Sequence, residues 1–159
     1  MSVDISGVVG EINWSQSKTN TAFVKTKQGP DKITASLTPS TTIYNRIYAV
    51  SGTLAASAST TIDLQGVTDY LAQSLTLTSI IAIMVKATTT DMIYSPGASN
   101  GLTWFLGGTT PTITVRAGGF FLIGDGSAFT VSGAAKTITI TNASGSLSGT
   151  YELALIGGQ

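Results

Sequence analysis

The sequence predicts an all-β fold, an antiparallel β-sandwich with an N-terminal arm or extra hairpin, and three observations carry that expectation. Apolar and hydroxyl residues alternate with period two, most clearly in Thr137-Ile138-Thr139-Ile140-Thr141-Asn142. Turn-forming residues separate short β-branched runs, the layout of sandwiches and barrels. The 159 residues include 18 Gly, no Cys and no His, with only 8 acidic and 8 basic side chains. A globule of this length buries roughly two-thirds of its unfolded surface, so it needs no disulfide. The lack of Cys leaves the redox compartment open.

The first 40 residues differ from the rest. Gly7, Gly10, Gly29-Pro30 and Pro39 punctuate them, and the polar stretch Ser15–Thr21 interrupts any core pattern. Ala22–Lys27 and Lys32–Leu37 are expected to form a hairpin around Gln28-Gly29-Pro30-Asp31. Residues 1–40 therefore read as an arm or added hairpin and residues 41–159 as the sandwich. The alternative, that they are the first strands of the same sheet, stays open.

Strands are expected at Arg46–Leu54 and Ser59–Leu64, and only Val67–Ala72 has a helical look. Ile80–Lys86 is a continuous apolar run, as in a strand buried on both faces. Asp91–Ser95 is expected to pair with it through Thr88-Thr89-Thr90, and Pro96-Gly97 ends that strand. Thr112–Val115 alternates again. Gly119–Ile123 and Phe129–Val131 flank Asp125-Gly126, a tight-turn signal. Thr137–Asn142 and Thr150–Ile156 are expected to form the closing hairpin through the turn chemistry of residues 143–149. No repeat recurs at solenoid or propeller periods.

Charge excludes several roles. The formal net charge is zero, so no overall field draws nucleic acid or an anionic membrane. Residues 1–46 carry five bases against three acids, and the remainder three against five, a weak dipole of +2 and −2. The start has no basic region followed by an apolar one, so no signal peptide is expected. Ile80–Val85, the longest strongly apolar run, is too short to span a membrane. Ser and Thr, rather than Lys and Glu, supply the polarity of exposed strand faces, and hydroxyls are cheaper to desolvate than ions. Such a surface suits a protein covered by neighbours; it also suits a bland environmental domain.

Catalytic and metal chemistry is thin. Without His or Cys, Ser-His-Asp and Cys-His arrangements and the usual zinc and haem sites are impossible. Asp63 and Asp69 are the nearest pair of acids for a glycosidase-like mechanism, but capping and solvation explain both. Asp125-Gly126-Ser127 offers too few oxygens for calcium. Gly107-Gly108 and Gly118-Gly119 precede no helix, so no phosphate loop is expected. Asn142-Ala143-Ser144 matches a glycosylation sequon without a secretory context. No enzyme activity and no cofactor are expected.

The aromatic residues remain. Trp104-Phe105 lies between Pro96-Gly97 and Gly107-Gly108, and Trp14 ends the first apolar segment. A Trp in such a loop either stacks on a sugar, beside polar residues such as Asn100, or plugs one end of the core with its N–H bonded; the second is preferred. Trp14, Trp104, Phe105 and Asn100 are the candidate ligand or interface residues. Tyr44, Tyr48, Tyr70 and Tyr94 are expected to be packing or interface residues.

Residues 45–157 resemble a known family. The likeness lies in Ile62-Asp63-Leu64, Ile80–Lys86, Leu102-Thr103-Trp104-Phe105, Val115-Arg116-Ala117-Gly118-Gly119-Phe120, Thr137–Asn142 and Thr150–Gly157. In this order they resemble the small jelly-roll β-sandwich virion proteins of tailed bacteriophages. The resemblance implies a non-enzymatic structural protein, a capsid decoration (cement) or minor capsid component assembled in the host cytoplasm. It implies a homo-oligomer, a trimer by preference, bound to the major capsid protein or other virion proteins. A cement protein stabilises a shell by binding the assembled state alone, and residues 1–40 could be an arm that augments a neighbouring sheet. The alternatives are a carbohydrate- or receptor-binding module of a phage tail or fibre, and a self-assembling shell protein.

Overall fold

The computed structural model describes residues 8–19, 25–37, 46–68, 73–103 and 111–159; the side chains of 8–37 and 125–127 are not among them. Twelve strands and no helix occur among the described residues. The chain divides into two compact units, one of them Ser6–Thr38.

That smaller unit holds β1 (Val8–Thr19) and β2 (Lys25–Leu37), an antiparallel ribbon. Its register sets Val8 opposite Leu37 and Ile12 opposite Ile33. The expected hairpin around Gln28–Asp31 does not form, because Lys25–Leu37 is one continuous strand. Gly29-Pro30 instead occupies a bulge: Trp14 pairs with Asp31 and Gln16 with Gln28, so two residues of β2 face Ser15. A bulge is where a strand tolerates a proline, which has no N–H for the ladder.

The larger unit is an antiparallel β-sandwich. One sheet has the order β10 (Phe120–Thr130), β7 (Ser79–Ala87), β12 (Gly149–Gly158), β3 (Arg46–Leu54). The other has the order β4 (Ser59–Asp63), β11 (Thr137–Asn142), β8 (Met92–Pro96), β9 (Ile113–Val115). A short ribbon joins β5 (Val67–Thr68) to β6 (Ser74–Leu75). The pairings are nested: β3 with β12, β4 with β11, β7 with β10, and β8 with β9. One core cluster fills the space between the sheets, with Tyr48, Ile83, Val85, Leu153 and Leu155 from one and Ile62, Met92, Tyr94, Ile138 and Ile140 from the other.

Two expected hairpins fail for one reason: the chain changes sheets where the turn signals suggest a return to the same sheet. Asp91–Ser95 does not pair with Ile80–Lys86; β8 pairs with β11 and β9. Met92 and Tyr94 are buried, and the Tyr94 hydroxyl donates to the Lys86 carbonyl at 3.0 Å, so the two strands face each other across the core. The stretch 143–148 also joins opposite sheets, so β11 and β12 are not a hairpin. Asp125-Gly126 is not a two-residue turn, because β10 runs on to Thr130. It lies in a bulge where residues 125–128 face Ile81 alone, with Ala128 at φ 61°. Val67-Thr68 is a strand rather than part of a helix, and Asp69–Ala72 lies outside the described residues.

The apolar run in β7 is only partly buried on both faces. Ile80 through Ile83 are buried, but Met84 is 38% exposed. Register shifts at Ile81 from one residue per strand, so Ile80 comes opposite Gly157, in line with Leu155 and Leu153. The bulge turns Ile80 toward the core, and beyond it ordinary alternation returns.

Four inter-sheet connections gather at one end. At Arg116–Gly119, a β-turn closes with Gly119 N–H on the Arg116 carbonyl at 2.8 Å, and Gly118 supplies the left-handed φ of 77° that its third position needs. Asp91 accepts from Ala117 N–H at 2.9 Å and from Arg116 at 2.7 Å. Buried Asn142 ties the other connections: its amide donates to the carbonyls of Leu54, Ala55 and Leu147 at 3.2, 3.0 and 2.8 Å.

Candidate interaction surface

The two outer faces of the sandwich differ in chemistry. On the β4-β11-β8-β9 sheet, the inward residues Ile138 and Ile140 leave Thr139 and Thr141 facing out. Cross-strand register sets Thr61 and Ser95 beside Thr139, and Ser59, Ile93 and Thr114 in the row with Thr141. Thr61 and Thr139 hydroxyls hydrogen-bond at 2.8 Å. This face is largely hydroxyl-lined.

The outer face of the β10-β7-β12-β3 sheet is apolar through its middle. One row runs Leu122–Met84–Ala154–Ala49, and the next Gly124–Ala82–Ile156–Ile47. Phe120, 69% exposed, begins a third row that continues through Lys86, Glu152 and Ser51. Lys86 and Glu152 pair at 2.8 Å and close one end of the patch. A shallow hollow of about 460 Å³ lies here, lined by residues that include Ala49, Ser51, Met84, Thr150, Glu152 and Ala154. Ile47, Met84 and Phe120 are the exposed large apolar side chains of this face, while Ala82 between them is buried; exposed apolar residues grouped on one face mark interaction sites.

The candidate residues read from sequence do not converge there among the described residues. Asn100 is exposed at φ 53°, in the turn leading to Gly101, a conformation asparagine tolerates. Its carbonyl accepts from Lys136 and Thr137 N–H at 2.7 and 2.9 Å, which anchors that turn. Trp14 lies in β1 opposite Asp31, with its side chain outside the described set. Trp104 and Phe105, like Tyr44, Tyr70 and Asp69, lie outside the described residues. Tyr48 and Tyr94 are core side chains. The sequence reading missed the apolar outer face; the signal for it was Leu153-Ala154-Leu155-Ile156, apolar on both faces of its strand.

The charged groups are held in pairs. Lys136 donates to Asp63 at 2.6 Å, and Gln65 N–H adds a second bond. The Lys136 bond holds the Asp63 carboxyl below its ordinary range. The Ala117 N–H does the same for Asp91, with Arg116 adding to it. Arg46 donates to the Gln159 side chain at 3.0 Å. A general acid needs a raised carboxyl pKa, and both shifts run the other way. Among the described residues, no three His, Cys, Asp or Glu side chains group as metal ligands. No helix among them is long and apolar enough to cross a membrane.

No family model matches the chain, and no curated protein does. Among solved structures, it is similar to one described as the crystal structure of Peruvianin-I, a cysteine peptidase from Thevetia peruviana latex. The two share 10% identity and a TM-score of 0.38, over 70% of this chain and half of the other.

Proposed function

We propose that this chain is a non-enzymatic viral structural protein, a capsid decoration or minor capsid protein that binds and stabilises an assembled shell. The observation that carries the reading is the pairing of a closed core with one apolar outer face. Every charged side chain described has a partner, while Phe120, Met84 and their row neighbours have the character of a contact surface. The nested strand order supports a jelly roll, in which first pairs with last and each inner pair follows. Jelly rolls recur in viral capsid and lectin domains. In this reading the apolar face seats on the major capsid protein or another virion protein, and the hydroxyl-lined face points to solvent.

The hydroxyl-lined face favours a second reading, a carbohydrate- or receptor-binding module of a tail or fibre. Antibodies against the purified chain, applied to intact particles of the virus that encodes it and imaged by electron microscopy, separate the two. Label over the shell supports decoration. Label confined to the tail tip supports the receptor-binding module, and unlabelled particles overturn both. Closed particles formed by the pure chain alone would instead mark a self-assembling shell protein.

A further inference from the structure

We infer that the edge of β3 that no described strand pairs docks the same strand of a second copy of this chain, the two strands adding antiparallel across a twofold axis. The inference rests on the sheet edges and stands apart from the virion reading. Proteins blunt exposed edges with bulges, prolines, charges or shortness. Three of the four edges in the sandwich follow that rule. β10 is broken by the bulge at residues 125–128. β9 is 3 residues long. β4 is 5 residues long and ends at Asp63, which is held by Lys136.

The fourth edge carries no such device. β3 is 9 residues long and pairs in unbroken register with β12 from Arg46 to Leu54. It has no proline, and its sole charge is Arg46 at the first position. No strand among the described residues pairs with its other side. Ala49, Ser51 and Thr53 are exposed, and Val50 and Gly52 are only half-buried although they sit on the core-facing side of the strand.

The strand is complementary to itself. In an antiparallel pair, directly opposite residues share a face, so a twofold axis must pass through a residue. Centring the axis on Val50 pairs the whole strand: Ala49 meets Ser51 of the second copy, Ile47 meets Thr53, and Tyr48 meets Gly52. Arg46 falls opposite Leu54, so no like charges meet. The pairing also joins two apolar outer faces into one continuous surface, because Ala49 ends the row Leu122–Met84–Ala154. Main-chain hydrogen bonds carry such strand addition.

The absence of Cys makes the test clean. Val50→Cys places a thiol on the axis, where opposite Cβ atoms lie about 4.5–5.5 Å apart, close to disulfide geometry. Thr61→Cys on β4 is the control. Under mild oxidation, Val50→Cys should form a covalent dimer on a non-reducing gel and Thr61→Cys should stay single. Light scattering on a sizing column should give the unaltered chain twice its single-copy mass, and Ser51→Lys half of that with an unchanged circular dichroism spectrum. A single-copy mass, a threefold mass, a dimer that Ser51→Lys leaves intact, or cross-linking of Val50→Cys no better than the control overturns the inference.

Discussion

Thr90 donates its hydroxyl to the side-chain oxygen of Asn142 at 2.8 Å, and both residues are buried. The bond joins the β7–β8 connection to the end of β11. The Asn142 oxygen also accepts from Ser144 N–H at 3.0 Å, so the whole amide is engaged. An unsatisfied buried polar group costs about 1–3 kcal/mol, and Asn142 serves three carbonyls at once. Asn142→Ala should therefore destabilise the sandwich by about 3 kcal/mol or more, and Thr90→Val by about 1 kcal/mol. Urea unfolding midpoints check the ranking; equal losses would refute the hub role.

The same burial closes the sequon. Asn142 is 1% exposed, with its amide donating to main-chain carbonyls. Offered as folded, purified protein to an oligosaccharyltransferase, the chain should keep its unmodified mass. A glycan at Asn142 under those conditions would overturn its burial.

Gly149 begins β12 against this hub. A Cβ there would collide with Thr90 Oγ1 and Met92 Cε. Gly149→Ala should cost about 1–3 kcal/mol through overpacking. Gly133, with open space around its would-be Cβ, is the control, and Gly133→Ala should be near neutral.

Acid should weaken the fold through Asp63 and Asp91. Lys136 lowers the first and the Ala117 N–H the second. A depressed folded pKa adds stability that is present above the unfolded value, about 3.9, and lost as pH falls below it. Stability should hold near neutrality and drop below about pH 4. Asp63→Asn should flatten part of that drop in a series of denaturant midpoints against pH.

Alkali should act through the tyrosines. Burial raises the pKa of Tyr94, with Tyr151 and Glu152 adding to it, and burial also raises Tyr48 and Tyr151. A raised folded pKa favours the neutral phenol, so stability is present below about pH 10 and lost as pH climbs past it. Phenolate absorbance should therefore rise late and together with unfolding for these three residues.

Phe120 separates surface from core. At 69% exposure it contributes little to folding, so Phe120→Ser should change stability by no more than about 0.5 kcal/mol. Binding of an apolar dye to the folded chain should fall. A large loss of stability would place Phe120 in the core instead.

Strand identity was legible where alternation was strict. Arg46–Leu54, Thr137–Asn142 and the closing strand appear within a few residues of their expected bounds, because a buried sheet face demands period two whatever its partner. The apolar outer face was missed, although the doubly apolar Leu153–Ile156 carried its signal. Asn100 was legible as a loop residue, but its part in bonding Lys136 and Thr137 was not.

Pairing was not legible, and the reason is physical. A Gly, Ser or Asp-Gly stretch reports that the chain bends, but not whether the next strand returns to the same sheet. Thr88–Asp91 and 143–148 cross the core because Met92, Tyr94, Ile138 and Ile140 must meet Ile83, Val85, Leu153 and Leu155 from the opposite side. Asp125-Gly126 and Gly29-Pro30 became bulges because β7 and β1 offered uninterrupted partners on either side of them. Local residues set which segments extend and which side of each is apolar; burial shared between distant strands chose which edges meet, and left one side of β3 without a partner among the described residues.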